Sequence, residues 1–411
     1  MSWKKVRLGD ISNNIQTGPF GSQLHQSDYS VEGIPVVMPK DIVDGKLSDE
    51  SIARVNESHV NRLKRHKIEV GDILYSRRGD VGRCALATKN EEGWLCGTGC
   101  LRVTINSDIA NPKFIFYQLQ KKETIGWVEK HAVGATMLNL NTSILSDVPI
   151  ELPNINEQNR VVEKISAYDD LIENNKKQIK LLEEAAQRIY KEWFIDLHFP
   201  GYENVKIADG VPEGWEREKL SDIFDYVRGK SYTSKEIVNT GGVLMINLKN
   251  IKAYGGYNHN AEKRFIGKFK DEQTLNVGDI VMGITDMTQE RRLVGHVAII
   301  PDLDEKMTFS MDLIKIIPKK VTRGFLYETM LYGGLSKRLS LLANGVNVLH
   351  LKPEAMMDMK ILIPNCSIMK QYDAMFEIYY RRIEELQKQC DIAREAHNRL
   401  LPKLMSGEIE V

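Results

Sequence analysis

The sequence predicts an α+β protein of two repeated halves, each a globular domain followed by one long helix. Three observations predict it: an internal duplication, a heptad spacing of apolar residues closing each half, and short β-rich segments mixed with short helical ones elsewhere. The 411 residues are 42% hydrophobic and 27% charged, enough for several packed cores. Lys plus Arg and Asp plus Glu each number 56, so the net charge is zero. That argues against gripping a polyanion by bulk charge and leaves room for local basic surfaces. No apolar stretch follows the basic residues of the opening ten positions, and no run of about 18 apolar residues exists, so neither a signal peptide nor a membrane helix is expected. Five sparse cysteines point to a reduced, cytoplasmic setting.

The duplication sets the elements. Trp3-Lys-Lys-Val-Arg-Leu-Gly-Asp-Ile11 returns as Trp215-Glu-Arg-Glu-Lys-Leu-Ser-Asp-Ile223, an offset of 215 − 3 = 212. Val70-Gly-Asp-Ile73 returns as Val277-Gly-Asp-Ile280, offset 207. Val81-Gly82 follows in the first half and Val294-Gly295 in the second, so the intervening loop is six residues longer in the second (14 − 8). Gly134–Leu140, running on to Pro153, matches Gly345–Leu351, running on to Pro364, at offset 211. Strands are expected at 34–38, 72–76, 101–105, 242–246 and 294–300, with short helices at 114–120 and 325–331. Residues 200–214, rich in Gly and turn formers, read as a linker.

Each half closes on a heptad seam. From Val161 apolar residues fall at Ile165, Tyr168, Ile172, Ile179, Leu182, Ala186, Ile189 and Trp193, with Asn175 in the missing place. Adding 211 gives Tyr372, Phe376, Tyr379, Ile383, Leu386, Cys390, Ala393, His397, Leu400 and Leu404, the same phase with His397 as its polar member. Asn175 and His397 are expected to set register. Pro200-Gly201 stops the first helix, and Pro402 is expected to kink or end the second. A helix of about 40 residues is roughly 60 Å long, more than a small domain needs, so each is expected to act as a spacer. The domain plan is then 1–155, helix 156–199, linker 200–214, 215–366 and helix 367–411. A pseudo-two-fold axis would set the helices antiparallel and coiled-coil-like, with the globular domains at opposite ends. Such a rod suits a ligand offering two contact sites at fixed separation, as duplex DNA does about every 34 Å.

This order of elements, with the phrases Trp3…Leu8-Gly-Asp-Ile11, Thr17-Gly-Pro-Phe-Gly-Ser22, Val70-Gly-Asp-Ile73, Pro212-Glu-Gly-Trp215 and Leu400-Leu-Pro-Lys-Leu-Met-Ser-Gly-Glu-Ile409, resembles the specificity subunits of type I restriction–modification systems. The resemblance covers essentially the whole chain. It implies two target-recognition domains, each reading one part of a bipartite, asymmetric duplex target. It implies that the long helices set the gap between half-sites and dock two methyltransferase subunits, with restriction–translocase subunits joining them. S-adenosylmethionine, ATP and Mg would belong to those partners, and this chain would bind no cofactor. The spacer and partner set is Ile165, Tyr168, Ile172, Asn175, Ile179, Leu182, Ile189, Phe376, Tyr379, Ile383, Leu386, His397 and Leu400.

Candidate DNA contacts follow from residue type and loop position. Arg77, Arg78 and Arg83 follow a strand at a turn, where arginines pair with guanine edges or phosphates, or simply solvate a hairpin tip. The longer matched loop carries Thr285, Asp286, Thr288, Gln289, Arg291 and Arg292, of which Thr288, Arg291 and Arg292 are the candidate contacts. Thr17, Gly18, Phe20 and Ser22 form a Gly-rich turn able to approach a phosphate, matched by Arg228 and Lys230; both also read as ordinary turns. Lys40 matches the region of Asn247 and Lys249. The basic run Arg62–Lys67 reads as backbone contact or a solvated face.

Catalytic signatures are lacking. Gly229-Lys-Ser231 is no P-loop, because Phe224 stands where the earlier glycine is required. Asn111-Pro-Lys-Phe114 lacks the second proline of an adenine-methylation motif, and the carboxylates of Pro301–Lys306 are too closely spaced for a nuclease. Cys84, Cys96 and Cys100 read as buried thiols rather than metal ligands. Two rivals remain: a coiled-coil adaptor joining proteins without DNA, favoured by the neutral charge, and a stand-alone nuclease or fused restriction–methylation enzyme.

Overall fold

A computed structural model describes residues 3–134, 137–259 and 261–409. The chain divides into two compact units, Met1–Asn174 with Cys390–Val411, and Asn175–Gln389. Unit 1 therefore takes its last piece from the far end of the chain.

The two units share one topology. In unit 1 an antiparallel sheet runs Ser12–Thr17, Cys100–Ile105, Ile73–Ser76, Cys84–Leu86, and in unit 2 the order is Phe224–Arg228, Leu313–Pro318, Ile280–Gly283, Val297–Ile299. A second sheet in unit 1 orders Leu95–Cys96, Ile34–Val37, Ala53–Val55 and Tyr29–Ser30; its unit 2 counterpart gains a fifth strand, Thr274–Leu275. In each unit the opening strand pairs with the one leading into the long helix, Arg7 opposite Pro149 and Lys219 opposite Lys360. The short helices are Pro112–Leu119 and Arg323–Leu331. The strand expected at 294–300 is shorter, Val297–Ile299, because Gly295 is left-handed and its amide turns to Gly283 O.

The repeated Val-Gly-Asp-Ile has a local mechanism. Gly71 and Gly278 take φ of 90° and 88°, a left-handed turn that residues with a Cβ resist. The next residue then turns back to cap the loop: Asp72 accepts from Glu69 N (2.8 Å) and Asp279 from Asn276 N (2.9 Å). The chain enters the strand directly behind the cap.

The long helices are Ile155–Phe194 and Cys366–Met405. The first stops at Phe194 rather than reaching 199, because Leu197 is left-handed (φ 61°) and Asp196 N folds back to Lys191 O (2.9 Å). Pro402 does not end the second; the helix continues to Met405. Proline removes one ladder bond, and burial of Leu404 and Met405 in the unit 1 core offsets that loss.

Within each unit the helix segments run antiparallel. In unit 1 Cys390 Sγ lies 3.8 Å from Ile172 O, His397 Nε2 lies 3.4 Å from an Asp169 carboxylate oxygen, and Val161 and Ile165 share a core with Leu404. In unit 2 Asn175 Nδ2 donates to Gln389 Oε1 (3.0 Å), and Trp193 and Phe194 pack on Tyr372. All thirteen seam positions named above are buried or half-buried. Their side chains are therefore engaged within this chain. The exposed large apolar positions of the helices lie elsewhere, at Ile155 in the first turn and at Leu171, Leu181, Ile378 and Ile392.

Candidate nucleic-acid interface

In unit 1 the sheet register gathers the candidate loops. Leu101 faces Thr17 and Cys100 faces Ser76, so strands 12–17 and 73–76 leave the sheet at the end where 100–105 enters. Thr17–Ser22, Arg77–Arg83 and Gly97–Gly99 thus share one sheet end. The turn Pro39–Asp41 joins them, since Gly97 N donates to Val37 O (2.9 Å).

Gly18 is buried rather than open to a phosphate. A Cβ there would lie 1.9 Å from Gly97 O, and at Gly229 it would lie 2.0 Å from Ser310 O. In both units this glycine lets two backbones touch. Phe20 and Ser22 beyond it are exposed, and the Phe20 ring lies 5.9 Å from the Arg77 guanidinium carbon. Arg77 is half-buried and fixed on both sides: its N donates to Gly99 O and its O accepts from Leu140 N, each at 2.8 Å. Arg78 is exposed and bridged to Asn139. Arg83 pairs with Asp80 at 2.5 Å, and Lys40 Nζ donates to Ser51 O at 2.9 Å. In the basic run, His66 is buried while Arg62, Lys64, Arg65 and Lys67 are exposed.

Unit 2 treats its candidates differently. Arg228 is held by Glu354 (2.8 and 3.1 Å), and the Tyr226 hydroxyl donates to the same carboxylate at 2.8 Å. The Glu354 backbone amide, then Arg228 and Tyr226, pull that carboxyl down to about 2. Lys230 is half-buried, its N donating to Phe309 O at 2.7 Å. Asn247 is only 4% exposed, and its amide nitrogen donates to Asn250 Oδ1 (2.9 Å) and Ala261 O (2.7 Å). It caps a turn and presents nothing to a base edge; the neighbouring Lys249 is the exposed group.

The longer loop is organised by Asp286, which is 1% exposed. Oδ1 accepts from Thr288 N (2.8 Å) and Oγ1 (2.9 Å), and Oδ2 from Leu293 N (2.7 Å) and Val294 N (3.3 Å). Thr288 is thus exposed but tethered, Arg292 pairs with Glu290, and Arg291 sits half-buried at φ 54°. Residue type places Asp286 in this loop but not its organising role, for which Asp-x-Thr at the start of a loop is an Asx-turn signal. The hairpins 133–139 and 344–350 were also missed as parts of the site. They close on the loops through Gly79 N to Leu138 O (3.1 Å) and Gln289 Nε2 to Val346 O (2.9 Å). The repeated Gly134 and Gly345 phrases mark them; Ala135 and Thr136 lie outside the described residues.

Burial pushes the Asp286 carboxyl up, but hydrogen bonds from Leu293, Thr288 and Val294 outweigh it, and the net shift is below 3.8. The stabilisation is therefore present above that value and is lost as pH falls through the folded pKa. Asp286→Ala is expected to cost about 2–3 kcal/mol and to speed amide exchange at Leu293 and Val294. Unchanged exchange at those two amides would show that something else holds the loop.

The remaining motifs are structural. Cys84, Cys96 and Cys100 are buried, and burial pushes the first two thiols up to about 12. Asp302 and Asp304 pair with Lys388, and Glu305 with Arg264. Among the described residues no helix is long and apolar enough to cross a membrane.

Two copies of one α+β domain, each ending its central sheet in basic and polar loops and each packed on long-helix segments, form a chain whose family match makes it a DNA-specificity protein. Residues 1–184 and 212–389 match the type I restriction modification DNA specificity domain, and the chain belongs to that family. It is 26% identical over 408 residues to the type I restriction enzyme MjaIX specificity subunit of Methanocaldococcus jannaschii, covering 93% of this chain and 88% of the relative. To the MjaVIII specificity subunit of the same organism it is 22% identical over 420 residues, covering 100% and 93%. The crystal structure of the type I restriction-modification S subunit from M. genitalium has the same fold, with a TM-score of 0.64 at 15% identity, covering 98% of this chain and 96% of that one. The chain is accordingly a specificity subunit and not itself an enzyme.

Proposed function

We propose that this chain reads a bipartite, asymmetric duplex target, one half-site per unit, and docks the methyltransferase and restriction subunits that act on it in the cytoplasm. S-adenosylmethionine, ATP and Mg are bound by those partners. One observation carries the reading: the units share a topology but differ in the loops at the same sheet end, so two similar scaffolds present different surfaces to DNA. Partner helices would meet the outward apolar positions Leu171, Leu181, Ile378 and Ile392, because the seam is already filled. The test is selection from random-sequence DNA by this chain assembled with its methyltransferase subunit. Two dissimilar half-sites separated by a fixed unspecified gap are expected. A single uninterrupted motif would refute the bipartite reading, and the absence of any motif would favour the adaptor.

A further inference from the structure

We infer that unit 1 reads a G·C pair through Arg77 and Arg78, while Lys40 and Lys249 hold phosphates; this rests on the DNA-reading role proposed above. The duplication separates the two kinds of contact. The phosphate backbone is chemically the same at both half-sites, so groups that bind it have reason to recur in both units. Groups that read bases must differ wherever the half-sites differ.

The backbone fixes which residues correspond. Arg77 N donates to Gly99 O and Leu140 N donates to Arg77 O; in unit 2 Ile284 N donates to Asp312 O and Leu351 N to Ile284 O, all four at 2.8 Å. Arg78 bridges Asn139 as Thr285 pairs with His350. Two guanidiniums in unit 1 thus stand where unit 2 has Ile284, which is buried, and Thr285, whose hydroxyl donates to Asp312 Oδ1 at 3.1 Å. The strand end is retained and its chemistry is exchanged. Lys40 behaves in the opposite way. It lies in the turn after Ile34–Val37, capped by Asp41 accepting from Met38 N (2.8 Å); Lys249 lies in the turn after Val243–Ile246, capped by Asn250 accepting from Asn247 N (3.0 Å). Both lysines are exposed at matched places; the Lys40 ammonium also donates to Ser51 O (2.9 Å) and lies 3.8 Å from Asp41 Oδ1, weak surface contacts that a phosphate can replace.

The arginines are also prepared for a directional contact. Neither has a carboxylate partner among the described residues, whereas Arg83, Arg228 and Arg292 are neutralised by Asp80, Glu354 and Glu290. Arg77 Nε is buried without a hydrogen-bond partner, and its guanidinium lies by the Phe20 ring. A planar donor fork held on a fixed backbone matches the O6 and N7 acceptors of guanine.

The experiment determines the selected motif of the assembled complex with the native chain and with Arg78→Ala, Arg77→Ala and Lys40→Ala. Arg78 is exposed, so its replacement leaves the fold intact. Each arginine variant is expected to lower the preference for G·C at one position of one half-site, on the order of 5- to 150-fold, and to leave the other half-site unchanged. Lys40→Ala is expected to weaken all sequences alike and to reduce the salt slope by about one. Arginine variants that keep the motif and lose affinity uniformly, with a shallower salt slope, would make them phosphate contacts and overturn the inference alone. A native complex with no sequence preference overturns both the inference and the reading beneath it.

Discussion

Replacing Asp72 by alanine is expected to lower the stability of unit 1 by about 3–5 kcal/mol, because it strands a buried guanidinium. Asp72 accepts from Thr104 Oγ1 (2.5 Å) and Glu69 N (2.8 Å) and pairs with Arg102 at 3.3 Å, the two side chains being 1% and 10% exposed. Without it Arg102 keeps, among the described residues, the carbonyls of Lys67 and Arg65. Burial raises the Asp72 carboxyl despite these partners, so the pair matters less for net attraction than for the charge its loss would expose. The duplication supplies a control. Asp279 stands 3.8 Å from Lys315 and is 27% exposed, so Asp279→Ala is expected to cost only about 1–2 kcal/mol. Urea unfolding of the two variants, followed by amide exchange in each unit, measures both losses. Equal losses would mean that the loop cap, not the buried pair, is what the motif preserves.

Glu328 is expected to make unit 2 lose about 3 kcal/mol of stability between pH 4.5 and pH 8, and Glu328→Gln is expected to remove that part of the pH dependence. Glu328 is buried on the helix Arg323–Leu331 and accepts from the hydroxyls of Tyr372 and of Tyr379 (2.7 Å) on the second long helix. Burial pushes its carboxyl up from 4.5 to about 7, against the lowering effect of the two hydroxyls. A raised folded pKa favours the protonated form in the folded state. The advantage is whole below the unfolded value and disappears as pH rises through the folded one. Unit 1 lacks the group: at the matched position, 328 − 211 = 117, stands Tyr117, which donates to Asp169. The part of a pH series of thermal unfolding that Glu328→Gln removes should therefore belong to unit 2, apart from any same-signed contribution of Asp72 and Asp41 in unit 1. A variant as pH-sensitive as the native chain would place the titrating group elsewhere.

The parts of the fold legible in the sequence are those fixed by short-range periodicity. The heptad seam depends only on residues three and four apart, so both helices and the burial of their apolar positions follow from spacing. The left-handed glycines of Val-Gly-Asp-Ile and the strands behind them are similarly local. Helix ends were less legible. Pro402 breaks a helix on propensity alone, yet the packing of Leu404 and Met405 carries the helix past it.

At the sheet end, residue type established which loops carry polar and basic groups, but not what those groups touch. Arg228 and Glu354 are 126 residues apart in sequence, and the buried Asn247 amide donates to Ala261 O, 14 residues on. Phe20 meets Arg77 because two strands leave the sheet at the same end. The sequence by itself determined that the protein is a duplicated α+β chain with two long helices, since repetition and period are properties of the linear order. Only the tertiary structure decided which arginines are neutralised, which glycines are sealed by backbone and which carboxylates are buried. Ion pairing and desolvation depend on through-space distances of a few ångströms between residues that the linear order keeps far apart.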